Sequence, residues 1–140
     1  MTSGAAGLVV AGVLVDDTGR VLAARRSYPD DLAGKWEFPG GKAEADESPR
    51  DGLVRELSEE LDIVATVGAE LPGPVAGHWP ISASLRMRAF WCTTADQPSS
   101  TGADHDLIRW VTPDELVHLD LLPADVALAT SIAGHLAKAR

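Results

Sequence analysis

The chain has 140 residues, 45% of them hydrophobic, which suits one folded domain spanning residues 1–140 with its own core and excludes an intrinsically disordered protein. A formal net charge of −9 argues against a nucleic-acid polymer as partner, since that calls for a basic surface. The single cysteine, Cys92, excludes an internal disulfide, and neither a basic secretory start nor an apolar run of membrane-spanning length is present, so a cytoplasmic protein without membrane association is expected.

Leu8 to Val15 is an unbroken valine-rich run, predicted as a strand buried on both faces. Asp16-Asp17-Thr18-Gly19 reads as a turn and Arg20 to Arg26 as the returning strand of a hairpin. That strand ends in Arg25 and Arg26, either a solvated pair or a phosphate clamp, since a guanidinium matches phosphate oxygens bidentately. Ser27 to Lys35 is a loop, and Trp36 to Lys42 (WEFPGGK) leads through two glycines into Gly40 to Ile63, GGKAEADESPRDGLVRELSEELDI. Here Ser48 is a cap, Pro49 occupies the first helical position and Asp51 the first turn. On the resulting helix Glu56, Glu59 and Glu60 share one arc, while Leu53, Val54, Leu57 and Leu61 share the next and anchor the helix. Carboxylates at this spacing repel one another, and only Arg55 stands beside them. Such a cluster suits a hard cation such as Mg²⁺ or Mn²⁺.

Beyond the helix, Ile63 to Leu71 is predicted as a strand and Pro72 to Pro80 as a loop. Trp79 in that loop is either core packing or a stacking surface for a base. Ser84 to Thr93 alternates at first and then becomes apolar, as a strand entering the core does. Asp96 to His105 is loop-like and Leu107 to Val111 a short strand. Thr112-Pro113-Asp114-Glu115 is a capping box opening a helix to Leu119. A final helix runs from the Leu121–Asp125 stretch to about Lys138, with Ala127, Leu128, Ile132 and Leu136 as its buried stripe. The order is mixed α/β without regular βαβ alternation.

Gly41, five residues, Glu47, seven residues, then Arg55-Glu56-Leu57-Ser58-Glu59-Glu60-Leu61-Asp62-Ile63 resembles the Nudix box, in which G and E are followed by REUxEExGU with U aliphatic. Asp62 departs from it, standing where the pattern has glycine. That glycine is expected to end the helix in a left-handed conformation, which aspartate tolerates at about 1 kcal/mol. The resemblance implies an α/β/α sandwich around a mixed β-sheet and hydrolysis of a nucleoside diphosphate linked to another group. It also implies Mg²⁺, with Mn²⁺ able to substitute, bound by Glu56, Glu59, Glu60 and the backbone carbonyl of Gly40. Glu47 supports the site, and Arg55 pairs with Glu47 to orient the carboxylates. The general base is Glu59 from the box or Asp104 from the later loop, the latter in a pattern (Asp104-His105, then Trp110) similar to the Glu-His…Trp of the mutator-type branch. In the family an arginine at the strand end occupied here by Arg25 and Arg26 contacts the nucleotide phosphates, Arg25 being the better match, and Lys42 is a further phosphate candidate.

Trp36 to Lys42 and Leu122-Pro123-Ala124-Asp125 resemble the mutator-type nucleoside triphosphate pyrophosphohydrolases, which release monophosphate and pyrophosphate. The position of Asp125 is asparagine in the oxidised-guanine member and aspartate in relatives acting on cytidine nucleotides. An ionised aspartate only accepts hydrogen bonds, so it welcomes the amine of cytosine and repels the guanine carbonyl; the alternative is an acid that merely favours a helix start. The expected substrate is therefore (d)CTP or a modified pyrimidine nucleotide, with 8-oxo-dGTP as an alternative. A non-catalytic nucleotide- or protein-binding module is the third reading, disfavoured by the intact Glu47, Arg55, Glu56, Glu59 and Glu60. The expected partner is a small nucleoside triphosphate, and the expected assembly a monomer or weak dimer.

Overall fold

The computed structural model describes residues 7–100 and 104–138. In chain order the elements are β1 (Leu8–Leu14), β2 (Val21–Arg26), β3 (Trp36–Glu37), β4 (Gly40–Lys42), α1 (Pro49–Leu61), β5 (Ala65–Leu71), β6 (Trp79–Pro80), β7 (Arg86–Thr94), β8 (His105–Val111), α2 (Pro113–His118) and α3 (Pro123–Lys138). One sheet has the order β4-β1-β7-β5, with β6 also on β7, and β1 and β7 run parallel within it. The other is the antiparallel trio β3-β2-β8.

The turn after β1 forms as expected, with Asp16 Oδ1 accepting from the amides of Thr18 and Arg20, both at 2.9 Å. The hairpin does not continue from it. β1 and β2 part into different sheets and share only the Val15–Val21 bridge beside the turn. Both strands are apolar on both faces, with Val10, Val13 and Leu14 before the turn and Val21, Leu22, Ala23 and Ala24 after it all buried. A strand of that kind needs neighbours on both edges and cover on both faces, so each becomes the centre of its own sheet.

β1 shows how the layers are built. Leu8, Val10 and Leu14 pack with Leu53, Leu57 and Leu61 of α1 and with Phe90, while Ala11 and Val13 face the opposite core. There Leu116 of α2 and Leu128, Ala129 and Ile132 of α3 meet Val21, Ala23, Trp36 and Val111. Helices thus cover both sides of the mixed sheet, the α/β/α arrangement anticipated above. Ala127, expected inside, is exposed. The stripe on α3 runs instead through Asp125, Leu128, Ala129 and Ile132, because the first turn inserts Asp125 into the protein.

α1 begins where the cap signal places it, Ser48 Oγ accepting from the Asp51 amide at 3.1 Å. The capping box of α2 closes with both of its bonds, at 2.8 and 3.1 Å. α1 ends on Asp62, left-handed at φ 56° and ψ 47°, its amide donating to Ser58 O. A side chain in this conformation, carrying negative charge at the negative end of the helix, is unfavourable on both counts. Asp62→Gly is expected to raise stability by about 1 kcal/mol, a few degrees in a thermal melt, without changing turnover. An unchanged or lower melting temperature would contradict the assignment of Asp62 as a strained cap.

Candidate active site

A cleft of about 440 Å³ opens where β1, α1, β2–β3 and the start of α3 meet. Val9, Val10 and Ala11 of β1 line it, with Glu56 and Glu60 from α1, Arg26 and Glu37 from the second sheet, and Asp104 just before β8. Phe38, Leu122, Ala124 and Asp125 line it from the β3–β4 link and the start of α3, and Ile81, Leu85 and Met87 add an apolar wall.

Two glycines bring α1 and its neighbours this close. At Gly40, where φ is 151°, a Cβ would come within 2.0 Å of Val10 O, so only glycine lets β4 lie on β1 here. At Gly41 a Cβ would fall 2.3 Å from Glu56 Oε1, so the missing side chain makes room for that carboxylate. The Gly40 amide donates to Glu60 Oε1 at 3.1 Å, joining the glycine turn to the second cleft carboxylate.

Arg55 binds Glu47 as the sequence suggests. Its Nη2 and Nε donate to the two Glu47 oxygens at 2.7 and 3.1 Å, and its Nη1 reaches Glu56 Oε2 at 3.0 Å and Glu59 Oε1 at 3.1 Å. The hydrogen bond to Glu47, with the charges of the other carboxylates, holds the guanidinium firmly protonated, and Arg55 in turn holds Glu47 below the usual carboxylate range. Gly52 makes room for this pair, since a Cβ there would lie 2.8 Å from Glu47 Oε1.

Glu59 departs from expectation. Its side chain is 60% exposed, paired with Arg55 and outside the set lining the cleft. The i,i+4 attraction to Arg55 on the helix surface draws it there. Among the described residues no three Asp, Glu, His or Cys side chains converge to hold a metal, so the expected Glu56–Glu59–Glu60 set is not assembled. The remaining donors nevertheless fit a divalent cation. Burial pushes Glu60 up to about 7 despite the nearby His105 charge and the Gly40 amide, and burial also raises Glu56 against the pull of Arg55. Two desolvated carboxylates in one cleft are a hard oxygen donor pair of the kind that suits such a cation. Of the two candidate bases, Asp104 lines the cleft and Glu59 does not.

The arginine choice is reversed. Arg25 turns from the cleft, its Nε and Nη2 donating to the two oxygens of Asp106 at 2.9 and 3.2 Å and its guanidinium 5.9 Å from the Trp36 ring centroid. Arg26 lines the cleft instead, its Nη1 donating to Glu37 Oε2 at 2.9 Å. Lys42 lines the cleft with its side chain exposed, and its carbonyl accepts from Arg55. Trp79 is not a stacking surface. It is 5% exposed, packs in the core over the β6–β7 pairing with Met87, and donates its indole N–H to Leu71 O at 2.9 Å. A Trp whose polar tip finds a backbone acceptor is at home inside, whatever the polarity of the surrounding sequence.

Asp125 is 6% exposed and lines the cleft. Burial, reinforced by the Glu37 charge and opposed by the donating Phe38 amide, pushes it up to about 7. Glu37 lines the cleft and His105 binds it, and the sequence assigns neither a role. His105 Nε2 lies 2.6 Å from Glu37 Oε2. Burial alone would lower this imidazole, but the Glu37 hydrogen bond and the charges of Glu60 and Glu37 outweigh it and hold it above its ordinary value. One signal was available for Glu37. It stands between Trp36 and Phe38, both buried, and the two-residue period of a strand puts it on the face opposite them.

Residues 6–131 match the NUDIX domain. The chain belongs to the Nudix family. Nudix hydrolases act on small nucleotides and in general use a divalent metal. Among relatives, the CTP pyrophosphohydrolase of Escherichia coli is 38% identical over 120 residues, covering 85% of this chain and 86% of that one. The 8-oxo-dGTP diphosphatase of Haemophilus influenzae is 44% identical over 63 residues, 45% of this chain and 46% of that one. The solution structure of the E. coli ORF135 protein superposes with a TM-score of 0.75 at 35% identity, covering 95% and 91% of the two chains. In this Nudix hydrolase the charged box residues thus fall into two groups, Glu56 and Glu60 lining the cleft and Glu47, Arg55 and Glu59 joined in an ion-pair network outside its lining. No helix among the described residues is long and apolar enough to cross a membrane.

Proposed function

We propose that the chain is a Mg²⁺-dependent pyrophosphohydrolase of CTP or dCTP and their modified forms, cutting the triphosphate to monophosphate and pyrophosphate. The observation that carries this reading is one cleft holding Asp125, a buried carboxylate, together with Glu56, Glu60 and Arg26. Recognition of a base and handling of a polyphosphate need those two kinds of group at opposite parts of one substrate. The similarity to a CTP pyrophosphohydrolase over most of both chains supports it.

Each residue has a chemical task in this reading. Glu56 and Glu60 would hold the divalent cation, which when bound screens polyphosphate charge and acidifies a coordinated water; Mn²⁺ can substitute. Arg26 donates to the phosphate oxygens, and exposed Lys42 adds positive charge beside them. Asp104 accepts the proton that the attacking water loses as the anhydride bond breaks. Arg55, fixed by Glu47, aims Glu56 and so acts on the reaction through it. Asp125 accepts the exocyclic amine of cytosine, while Phe38, Leu122 and Met87 offer apolar surface to the base. A second reading has its own observation. With its protonation poised near 7, Asp125 in its neutral form donates and can meet a guanine carbonyl, which would admit 8-oxo-dGTP at lower pH.

Purified protein with Mg²⁺ is to be assayed against CTP, dCTP, 5-methyl-dCTP, dGTP, 8-oxo-dGTP and ADP-ribose, with products separated by chromatography. Cytidine monophosphate and pyrophosphate from the fastest reaction are the expected result. Faster turnover of 8-oxo-dGTP across the whole pH range refutes the assignment of the base, and no turnover of any of them leaves a nucleotide-binding module.

A further inference from the structure

β2 and β8 pair residue for residue from Val21–Val111 to Arg25–Leu107 and then slip, so that Arg26 faces His105 and Asp106 is the extra residue of a bulge. In a regular ladder Arg26 would face Asp106, and His105 would lie on the side of the sheet that carries Arg25. The bulge reverses both placements. Asp106 takes Arg25 in a two-pronged pair outside the cleft, and His105 arrives beside Arg26. The β2–β3 register sets Glu37 opposite Ala24, on the Arg26 side of the sheet. One oxygen, Glu37 Oε2, is then shared by Arg26 Nη1 at 2.9 Å and His105 Nε2 at 2.6 Å. Arg26 Nε is held separately, donating to Tyr28 O at 2.8 Å. The Glu37 and His105 side chains are 17% and 5% exposed, so the grip is largely shielded from water.

We propose that Glu37, locked by His105, is a positioning residue that holds the Arg26 guanidinium ready for an oligophosphate, and that the bulge at Asp106 sorts two adjacent arginines, one to the substrate and one to the fold. The inference rests on the reading of the cleft as a phosphate-binding site. A long arginine side chain loses rotamer freedom when it binds, and one already gripped at Nε and Nη1 has little left to lose. The grip uses two of the five N–H donors of the guanidinium and leaves the others for phosphate oxygens. Sharing Oε2 with His105 also keeps Glu37 from closing a two-pronged pair on Arg26 that would compete with phosphate, which is what Asp106 does to Arg25.

The test is a double-mutant cycle of Glu37→Gln and Arg26→Ala, read as affinity for inorganic pyrophosphate by calorimetry at fixed Mg²⁺, with a thermal melt of each protein. Glu37→Gln keeps the shape and removes the charge that aligns Arg26. Each single change is expected to weaken binding about tenfold, and the double variant to bind no more weakly than Arg26→Ala, because the role of Glu37 vanishes once its client is gone. Wild-type affinity in Glu37→Gln, or losses that multiply in the double variant, overturns the proposal. If Glu37→Gln does not fold, His105→Asn takes its place, removing the lock while leaving the carboxylate, with the same non-additivity expected. Turnover of CTP by the same proteins separates the two readings. A wild type that shows this binding pattern but hydrolyses no triphosphate overturns the activity and leaves the positioning role standing, whereas an active wild type with multiplying losses does the opposite.

Discussion

Glu56→Gln and Glu60→Gln should each lower turnover by roughly 10²–10⁴-fold while leaving the fold intact. These are the box carboxylates that line the cleft, and each change removes one negative charge and keeps nearly the same volume. Their charge is costly to the fold. A carboxylate whose folded value lies above its ordinary 4.5, at about 7 for Glu60, destabilises the native state progressively as pH rises from the lower value to the higher, and fully above it. In chelator at pH 8, Glu60→Gln should therefore melt no lower than wild type, and at pH 4 the two should melt alike. The combination of a large kinetic loss with neutral or improved stability distinguishes a functional charge from a structural one. Glu59→Gln is expected to cost far less, about tenfold or below, because Glu59 is exposed, lies outside the cleft lining and pairs with Arg55. Steady-state kinetics and melts of the three variants check this. Near-normal turnover in both cleft variants would remove Glu56 and Glu60 from the chemistry, and equal losses at all three positions would mean that Glu59 swings into the cleft during the reaction.

What could be read from the sequence was whatever local spacing controls. The cap at Ser48, the end of α1 at Asp62, the capping box at Thr112 and the pairing of Arg55 with Glu47 are all contacts between residues near in sequence, and each is present. Two of the failures depend on partners far along the chain. A good turn favours a β1–β2 hairpin, but β1 finds β7 in parallel, a pairing across more than 70 residues that no turn announces. Arg25 and Arg26 could not be told apart by alternation because a bulge in β8, opposite them, breaks the alternation. The helix arc places Glu59 with the metal carboxylates, yet Arg55, one turn before it, competes for it. Trp79 sits in a loop-like run of prolines and glycines that hides a two-residue strand delivering it to the core.

Asp125→Asn should change both stability and substrate choice, in directions that pH separates. Asp125 is held at about 7 against an ordinary 3.8, so the folded protein binds this proton more tightly than the unfolded chain does. The native state consequently loses stability as pH rises from about 4 to about 7, by about 4 kcal/mol in full. Asparagine escapes that loss while still accepting from the Phe38 amide, so the variant should melt about 10 °C above wild type at pH 8 and close to it at pH 4. Catalysis should move the other way. Above pH 7 wild-type Asp125 is a pure acceptor and matches an exocyclic amine, whereas below it the protonated form donates. The wild-type ratio of kcat/KM for CTP over 8-oxo-dGTP should rise as pH passes from 6 to 8, and in Asp125→Asn it should be about tenfold lower at pH 8 and flat across the range. Gains in melting temperature with an unaltered ratio would make Asp125 a buried acid of the helix start that reads no base. A ratio that falls without any gain in stability would instead mean that the aspartate is not held near 7 in the free protein, and that base recognition rests on its shape rather than on its charge.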